Sequence, residues 1–358
     1  MSAFGRNFLP GPTDVHPEVL EAMAGPMFAH RGPRMQALLA NMQPALRDLL
    51  GTVQPVLLST SSGTGLIEAA VRNGVRDRLL VVVGGFFGEY FARIAETCGK
   101  QVIRVQVHPG QAITAAQLAR FLEGPGIDAV ALVHSESSTG ALSDIEALAK
   151  VVRARKDVLL LVDGVTSIGA VKFEMDRWGV DFALTGSQKA LALPPGLAVG
   201  AASDRFLERA SDQQDAGYYF NANRLARIAR ESLPLWTPAM SLYFALERQL
   251  DRVARTGGWP ARYARHRALL ETLEAWVTRR SDVRLLAGAG QRSPAISAML
   301  LPPARRAKDV LAALEARGYL AGGALDPRHG NLIRIGHMGD LEPSHLEGLL
   351  VQLEEVLQ

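Results

Sequence analysis

Along the chain, short apolar runs alternate with longer stretches that have the character of helices. The runs at residues 56–58, 79–83, 102–107, 128–133 and 158–162, one beginning at 181 and another at 196–201, are rich in Val and Leu. They are too short for helices and suit strands covered on both faces. Residues 35–50, 66–75, 90–98, 114–122 and 144–154 read as the helices between them, and Pro17 stands well at the first position of an earlier one. Strand–helix alternation from 56 to 162 predicts parallel βαβ units in an α/β fold. Beyond it come a helix at 203–210, a polar loop at 211–223 and two long helices at 239–255 and 260–280. Gly257-Gly-Trp-Pro260 separates the two helices. Short strands (295–301, 332–335) with helices (304–317, 343–357) then suggest a small α+β unit. The expected division is an arm over residues 1–20, a large domain over 21–256 and a small C-terminal domain over 257–358.

Several strand ends carry chemistry. The run 158–162 stops abruptly on Asp163, at the carboxyl end where open α/β sheets bind ligands. The run from 181 passes through Thr185-Gly-Ser-Gln-Lys189, so an acid and a lysine stand past two neighbouring strands. Read alone, Asp163 caps a loop and Lys189 is a solvated charge, or the two face one ligand. The chemistry that needs such a pair is pyridoxal phosphate catalysis. A lysine amine binds the aldehyde, and a carboxylate keeps the pyridine nitrogen protonated. Ser59-Thr-Ser-Ser-Gly-Thr-Gly65 exposes backbone N–H groups at a helix start, which serves either as a cap or as an anion seat. It has neither a Walker lysine nor a Gly-x-Gly-x-x-Gly pattern. Arg334 lies inside the apolar Leu332-Ile-Arg-Ile-Gly336, a costly position unless it is paired, by a salt bridge or by a bound carboxylate.

Composition narrows the classes. The 358 residues are 48% hydrophobic and 21% charged, with a net charge of +3 and no basic block interleaved with aromatics, so nucleic acid is not an expected partner. No apolar run approaches a membrane span, and Met1-Ser-Ala-Phe-Gly-Arg6 lacks the pattern of a secretory leader. The single cysteine, Cys98, excludes an internal disulfide and suits a reducing cytoplasm; it is expected buried within its helix. No metal site is expected.

Taken together, Val162-Asp-Gly-Val-Thr-Ser-Ile-Gly169, Gly186-Ser-Gln-Lys189, His134-Ser-Glu-Ser-Ser-Thr-Gly140, Pro10-Gly-Pro12 and Arg334-Ile-Gly336 resemble the class V, fold-type I pyridoxal-phosphate aminotransferases. The likeness covers nearly the whole chain and is closest to the alanine/serine–glyoxylate and serine–pyruvate branch. It implies a large domain with a mainly parallel seven-stranded sheet, a small α+β domain, and a homodimer with shared sites. It also implies transamination between alanine or serine and glyoxylate or pyruvate. On this resemblance Lys189 and Asp163 are the catalytic pair, and Arg334 holds the substrate carboxylate. Ser62, Gly63 and Thr64 hold the cofactor phosphate, Phe87 stacks on its ring, Ser137 reaches its phenolic oxygen region, and Gln188 lies against it. Thr237 completes the phosphate cup of the other subunit, while Pro234 stands where relatives carry tyrosine. His134 is assigned no role. Three alternatives remain: a phosphoserine aminotransferase using His30 and Arg31 for a phosphate, a desulfurase-like lyase, and a pyridoxal-phosphate-binding protein without turnover.

Overall fold

The computed structural model describes residues 4–214, 216–326 and 329–358. Its main sheet has seven strands. Across the sheet they run Leu57–Ser59, Ala198–Ala202, Phe182–Gly186, Leu159–Asp163, Ala129–Val133, Arg78–Val83 and Gln101–Gln106. Each of the four neighbouring pairs from Phe182–Gly186 outward to Gln101–Gln106 is parallel, so the strands are joined by crossover connections rather than hairpins. Ala198–Ala202 is antiparallel to both its neighbours. The reason lies in the connection before it: residues 187–197 form a tight loop with no crossover helix, so the chain turns straight back. Leu159–Asp163 is buried at every position, as its unbroken apolar run requires.

Helices cover both faces. Pro33–Leu50 buries Leu38, Leu39, Met42, Leu46, Leu49 and Leu50 on one side. Gly63–Gly74 and Phe86–Thr97 bury Leu66, Ile67, Phe91 and Ala95 on the other. Cys98 is not inside the helix but at its C-cap, half-buried, because the chain leaves the helix through Gly99 in the left-handed region. The polar stretch after 210 is also less loop-like than its composition suggests. Ser211 ends the helix Asp204–Ser211, and Asn221 caps a further helix, Ala222–Arg230, that carries Asn223. Asp215, from the same stretch, lies outside the described residues, as do Met1–Ala3 of the expected arm.

A second sheet has the order Asn7–Phe8, Leu320–Gly323, Leu332–Gly336, Ile296–Leu300 and Arg284–Leu285. Its first strand comes from the N-terminus and pairs in parallel with Leu320–Gly323, so the opening residues belong to a sheet otherwise built from the C-terminal third. The chain then crosses back to the main sheet. Thr13 N–H donates to the Gln188 carbonyl (3.1 Å) and Thr13 Oγ1 to the Lys189 carbonyl (3.2 Å).

A buried ion pair makes a second tie. Arg262, 4% exposed, donates from Nη1 to Asp340 (2.6 Å) and from Nε and Nη2 to the Ala190 carbonyl (3.2 and 2.5 Å). Asp340 follows the strand that carries Arg334, so the pair links that strand's exit to the Lys189 turn. Removing Arg262 takes from Asp340 its shortest counter-charge and leaves the longer contacts to Arg265 (3.5 Å) and Arg252 (3.9 Å), and it leaves the Ala190 carbonyl without its donors. Arg262→Met should therefore lower the unfolding free energy by about 2 kcal/mol, read as a fall in melting temperature of a few degrees. An unchanged melting curve would show that the pair contributes nothing.

Candidate active site

Register brings the strand ends together. Asp163 pairs with Val133 on one side and Leu184 on the other, so three neighbouring strands reach the same edge of the sheet at the same level. Past that edge lie Ser135 and Ser137, Val165 and Thr166, and Gln188 with Lys189. They line one cavity of about 310 Å³, whose wall also includes Ser62, Gly63, Thr64, Phe87, Tyr90, Gly11 and Pro12. Eight of the residues singled out from sequence thus meet in one place: Ser62, Gly63, Thr64, Phe87, Ser137, Asp163, Gln188 and Lys189. Gly11 is required here. Its φ of +108° lies in the left-handed region, and a Cβ would come within 2.8 Å of Lys189 Cδ. The Lys189 amine donates to the Pro10 carbonyl just before it.

Arg334 is 8% exposed and sits behind the wall of this cavity. Its Nε donates to the Gly323 carbonyl (2.7 Å) and its Nη1 weakly to the Ser137 carbonyl (3.4 Å). Among the described residues its guanidinium has no carboxylate partner within salt-bridge distance, so it is not the structural ion pair that its buried position allows.

Burial dominates the electrostatics. The Asp163 carboxyl, 4% exposed, is pushed up to about 6, chiefly by burial; the Val165 N–H (2.8 Å) pulls it down and the Glu136 charge adds to the rise. The Lys189 amine is lowered to about 8 by burial and then by the Arg334 charge, with Asp163 and Glu136 opposing. Burial also lowers Arg334, against the pull of Glu136.

Thr237 stays outside: it is exposed, in the bend before the helix Met240–Arg255. Arg31 is exposed and His30 half-buried in the turn before Pro33, and neither lines the cavity. His134 is fully buried against Phe173 and Trp178, and burial takes its imidazole down to about 4. Burial raises the Cys98 thiol, the wrong direction for a nucleophile. Sequence reading passed over Thr166, whose Oγ1 lies 2.6 Å from Ser137 Oγ, and Tyr90, 3.4 Å from Thr64 Oγ1. It also gave no role to Glu136. The first two gave no signal beyond a hydroxyl near a strand end, whereas a glutamate inside a run of small residues was visible.

The residues fit pyridoxal phosphate. Asp163 is a buried carboxylate with one hydrogen bond among the described residues and no full counter-charge, the complement of a protonated ring nitrogen. Ser62 makes no side-chain cap, so the first turn of the helix Gly63–Gly74 keeps donors for a phosphate at the cavity wall. Phe87 offers a ring, and Lys189 an amine of lowered basicity.

Comparison with known proteins agrees. A family model described as aminotransferase class-V matches residues 10–319. The chain is 32% identical to an L-aspartate–glyoxylate aminotransferase of Paracoccus denitrificans over 93% of this chain and 86% of that one. It is equally, 32%, identical to a serine–glyoxylate aminotransferase of Arabidopsis thaliana, over 98% and 90%. Among solved structures, an alanine–glyoxylate aminotransferase of Nostoc sp. superposes with a TM-score of 0.94 at 30% identity, covering 100% of this chain and 96% of that one.

Two outcomes follow from the buried pair. Folding raises the Asp163 pKa above its ordinary 3.8, so charging it costs the folded state. The cost is absent below 3.8 and complete above about 6, where it amounts to about 3 kcal/mol. Cofactor-free Asp163→Asn should therefore melt above cofactor-free wild type at pH 7.5, with the gap closing toward pH 4. A lower melting temperature at pH 7.5 would contradict this. Covalent capture of pyridoxal phosphate by the apoprotein should speed up with pH and level off above about 8, where the Lys189 amine is neutral. Stopped-flow absorbance showing a midpoint near the ordinary lysine value of 10.5 would refute the burial argument.

Proposed function

The chain belongs to the class-V aminotransferases, fold-type I enzymes that use pyridoxal phosphate, and from that premise we propose that it transfers the amino group of alanine or serine to glyoxylate or pyruvate. The observation that carries the reading is the convergence of Lys189 and Asp163 on one cavity, with Arg334 behind its wall and without a carboxylate partner among the described residues. When bound, the cofactor supplies an electron sink for charge developing on the substrate Cα. Lys189 would hold it covalently and, once displaced by the substrate amine, would be the free amine that takes the proton from the substrate Cα. An amine brought to about 8 is neutral often enough near neutral pH to act as that base. Asp163 keeps the ring nitrogen protonated, and with that charge opposite it stays ionised. Arg334 grips the α-carboxylate with its two-pronged guanidinium, which orients the Cα–H bond toward the lysine. Ser62, Gly63 and Thr64 seat the phosphate, Phe87 and Gln188 confine the ring, and Ser137 with Thr166 faces its oxygen edge.

The donor and acceptor are drawn from the serine- and alanine-named relatives. An aspartate-named relative is as similar, but a dicarboxylate needs a second cation, and Lys189 is the one basic residue lining the cavity among the described residues. His30 and Arg31, which the phosphoserine alternative would need, lie apart from it. The reading includes a homodimer in which Thr237, exposed within one chain, reaches the partner's cofactor phosphate. The proposed division falls at residues 20 and 256, with Asn7–Phe8 of the arm pairing into the sheet of the small domain. No helix among the described residues is long and apolar enough to cross a membrane. With one cysteine in the chain, we place the enzyme in the cytoplasm.

Single amino acids added to the holoenzyme test the reading directly. Alanine or serine should bleach the cofactor absorbance, and borohydride should fix pyridoxyl on the peptide carrying Lys189. Label on Lys172 or Lys156 would remove the central assignment. Bleaching by phosphoserine far ahead of serine would transfer it to the phosphorylated substrate.

A further inference from the structure

Two helices begin at the cavity, and their N-termini are treated differently. The helix Gly63–Gly74 starts with its first turn uncapped by any side chain. The helix Phe86–Thr97, which places Phe87 and Tyr90 in the cavity wall, starts from Gly85, which has no side chain to offer as a cap. Its donors are satisfied by Glu136 of the adjacent short strand Ser135–Glu136, a side chain that is 4% exposed. Glu136 Oε2 accepts from the N–H groups of Phe87 (3.0 Å) and Gly88 (3.1 Å). Its Oε1 accepts from Phe87 N–H (3.3 Å), Ser138 N–H (3.0 Å) and Ser138 Oγ (2.6 Å). Ser138 Oγ accepts in turn from Phe86 N–H (3.0 Å). The fit is close: a Cβ on Gly85 would come within 2.7 Å of Glu136 Cγ.

A helix N-terminus with open donors attracts anions through its N–H groups and its dipole. Here that place is filled by the chain's own carboxylate, beside a cavity whose proposed substrates are all carboxylates. We infer that Glu136 is a positioning residue that stoppers this helix end. It fixes the turn bearing Phe87, and it keeps substrate carboxylates and inorganic anions from seating there, so that Arg334 alone receives the carboxylate. The charge of Glu136 also opposes the effect of burial on Lys189 and Arg334, which places its field inside the site. The role toward substrate rests on the transamination reading, whereas the exclusion of anions does not.

The test compares wild-type, Glu136→Ala and Glu136→Gln holoenzymes, each with cofactor bound. Glu136→Ala opens the helix end, so sulfate should raise its melting temperature clearly more than that of wild type. Sulfate should also inhibit the Ala variant with an inhibition constant about tenfold lower. A residue with a merely structural role would weaken the fold without creating an anion site. Glu136→Gln keeps the shape but turns an N–H group toward donors, so the Phe87 turn shifts. The circular dichroism of the bound cofactor should fall, and its affinity should weaken by about tenfold. A sulfate response in Glu136→Ala equal to wild type overturns the proposal. So does an unchanged dichroism band in Glu136→Gln, which decides alone if the Ala variant does not fold. The melting shift needs no turnover, so wild type that no amino acid bleaches would defeat the transamination reading and leave this result standing.

Discussion

An amine and a carboxylate held out of water at the edge of a sheet, each only partly compensated by the protein, set the terms for the rest of this structure. Burial moves Asp163 and Lys189 toward neutrality from opposite sides, to about 6 and about 8. Neither shift serves folding, because a buried group with an unmet charge costs free energy. Both serve a ligand that brings a cationic ring nitrogen and an aldehyde. The site is thus organised for a third party, and the cost is carried by ordinary packing elsewhere.

Holding the lysine requires support that does not itself enter the chemistry. The Lys189 turn is tied through three successive backbone carbonyls: Gln188 and Lys189 to Thr13, and Ala190 to Arg262. Thr13 follows a strand of the second sheet, and Arg262 is fixed by Asp340, just past another. That second sheet also carries Arg334. Arg334 and Lys189 are therefore joined by two short routes through the backbone, which limits how far one shifts without the other. Precision of this kind matters because a misplacement of about 1 Å in a reacting group can cost about a hundredfold in rate.

Glu136 shows the same economy applied to a helix end. A glycine-started helix gives the backbone room to approach the cavity but leaves donors open, and an acid from the adjacent strand Ser135–Glu136 closes them. The two helix ends at one cavity, one open and one filled, give the site a polarity that neither helix has alone.

The sequence by itself determined the parallel core and most of the site. The unbroken run of Leu159–Asp163, the small-residue turn at Ser62–Thr64 and the lone arginine in Leu332–Gly336 are local patterns, and their chemistry follows from residue type and strand position. The family resemblance added roles that spacing alone left open. The direction of Ala198–Ala202, the entry of Asn7–Phe8 into the distant sheet and the hold of Arg262 on Ala190 were decided only by tertiary structure. So was the partnership of Glu136 with the Phe87 turn. Each of these joins residues far apart in the chain, through backbone groups that every residue possesses. Local composition carries no signal of which carbonyl a given donor will find, because that choice is made when the strands and helices pack together.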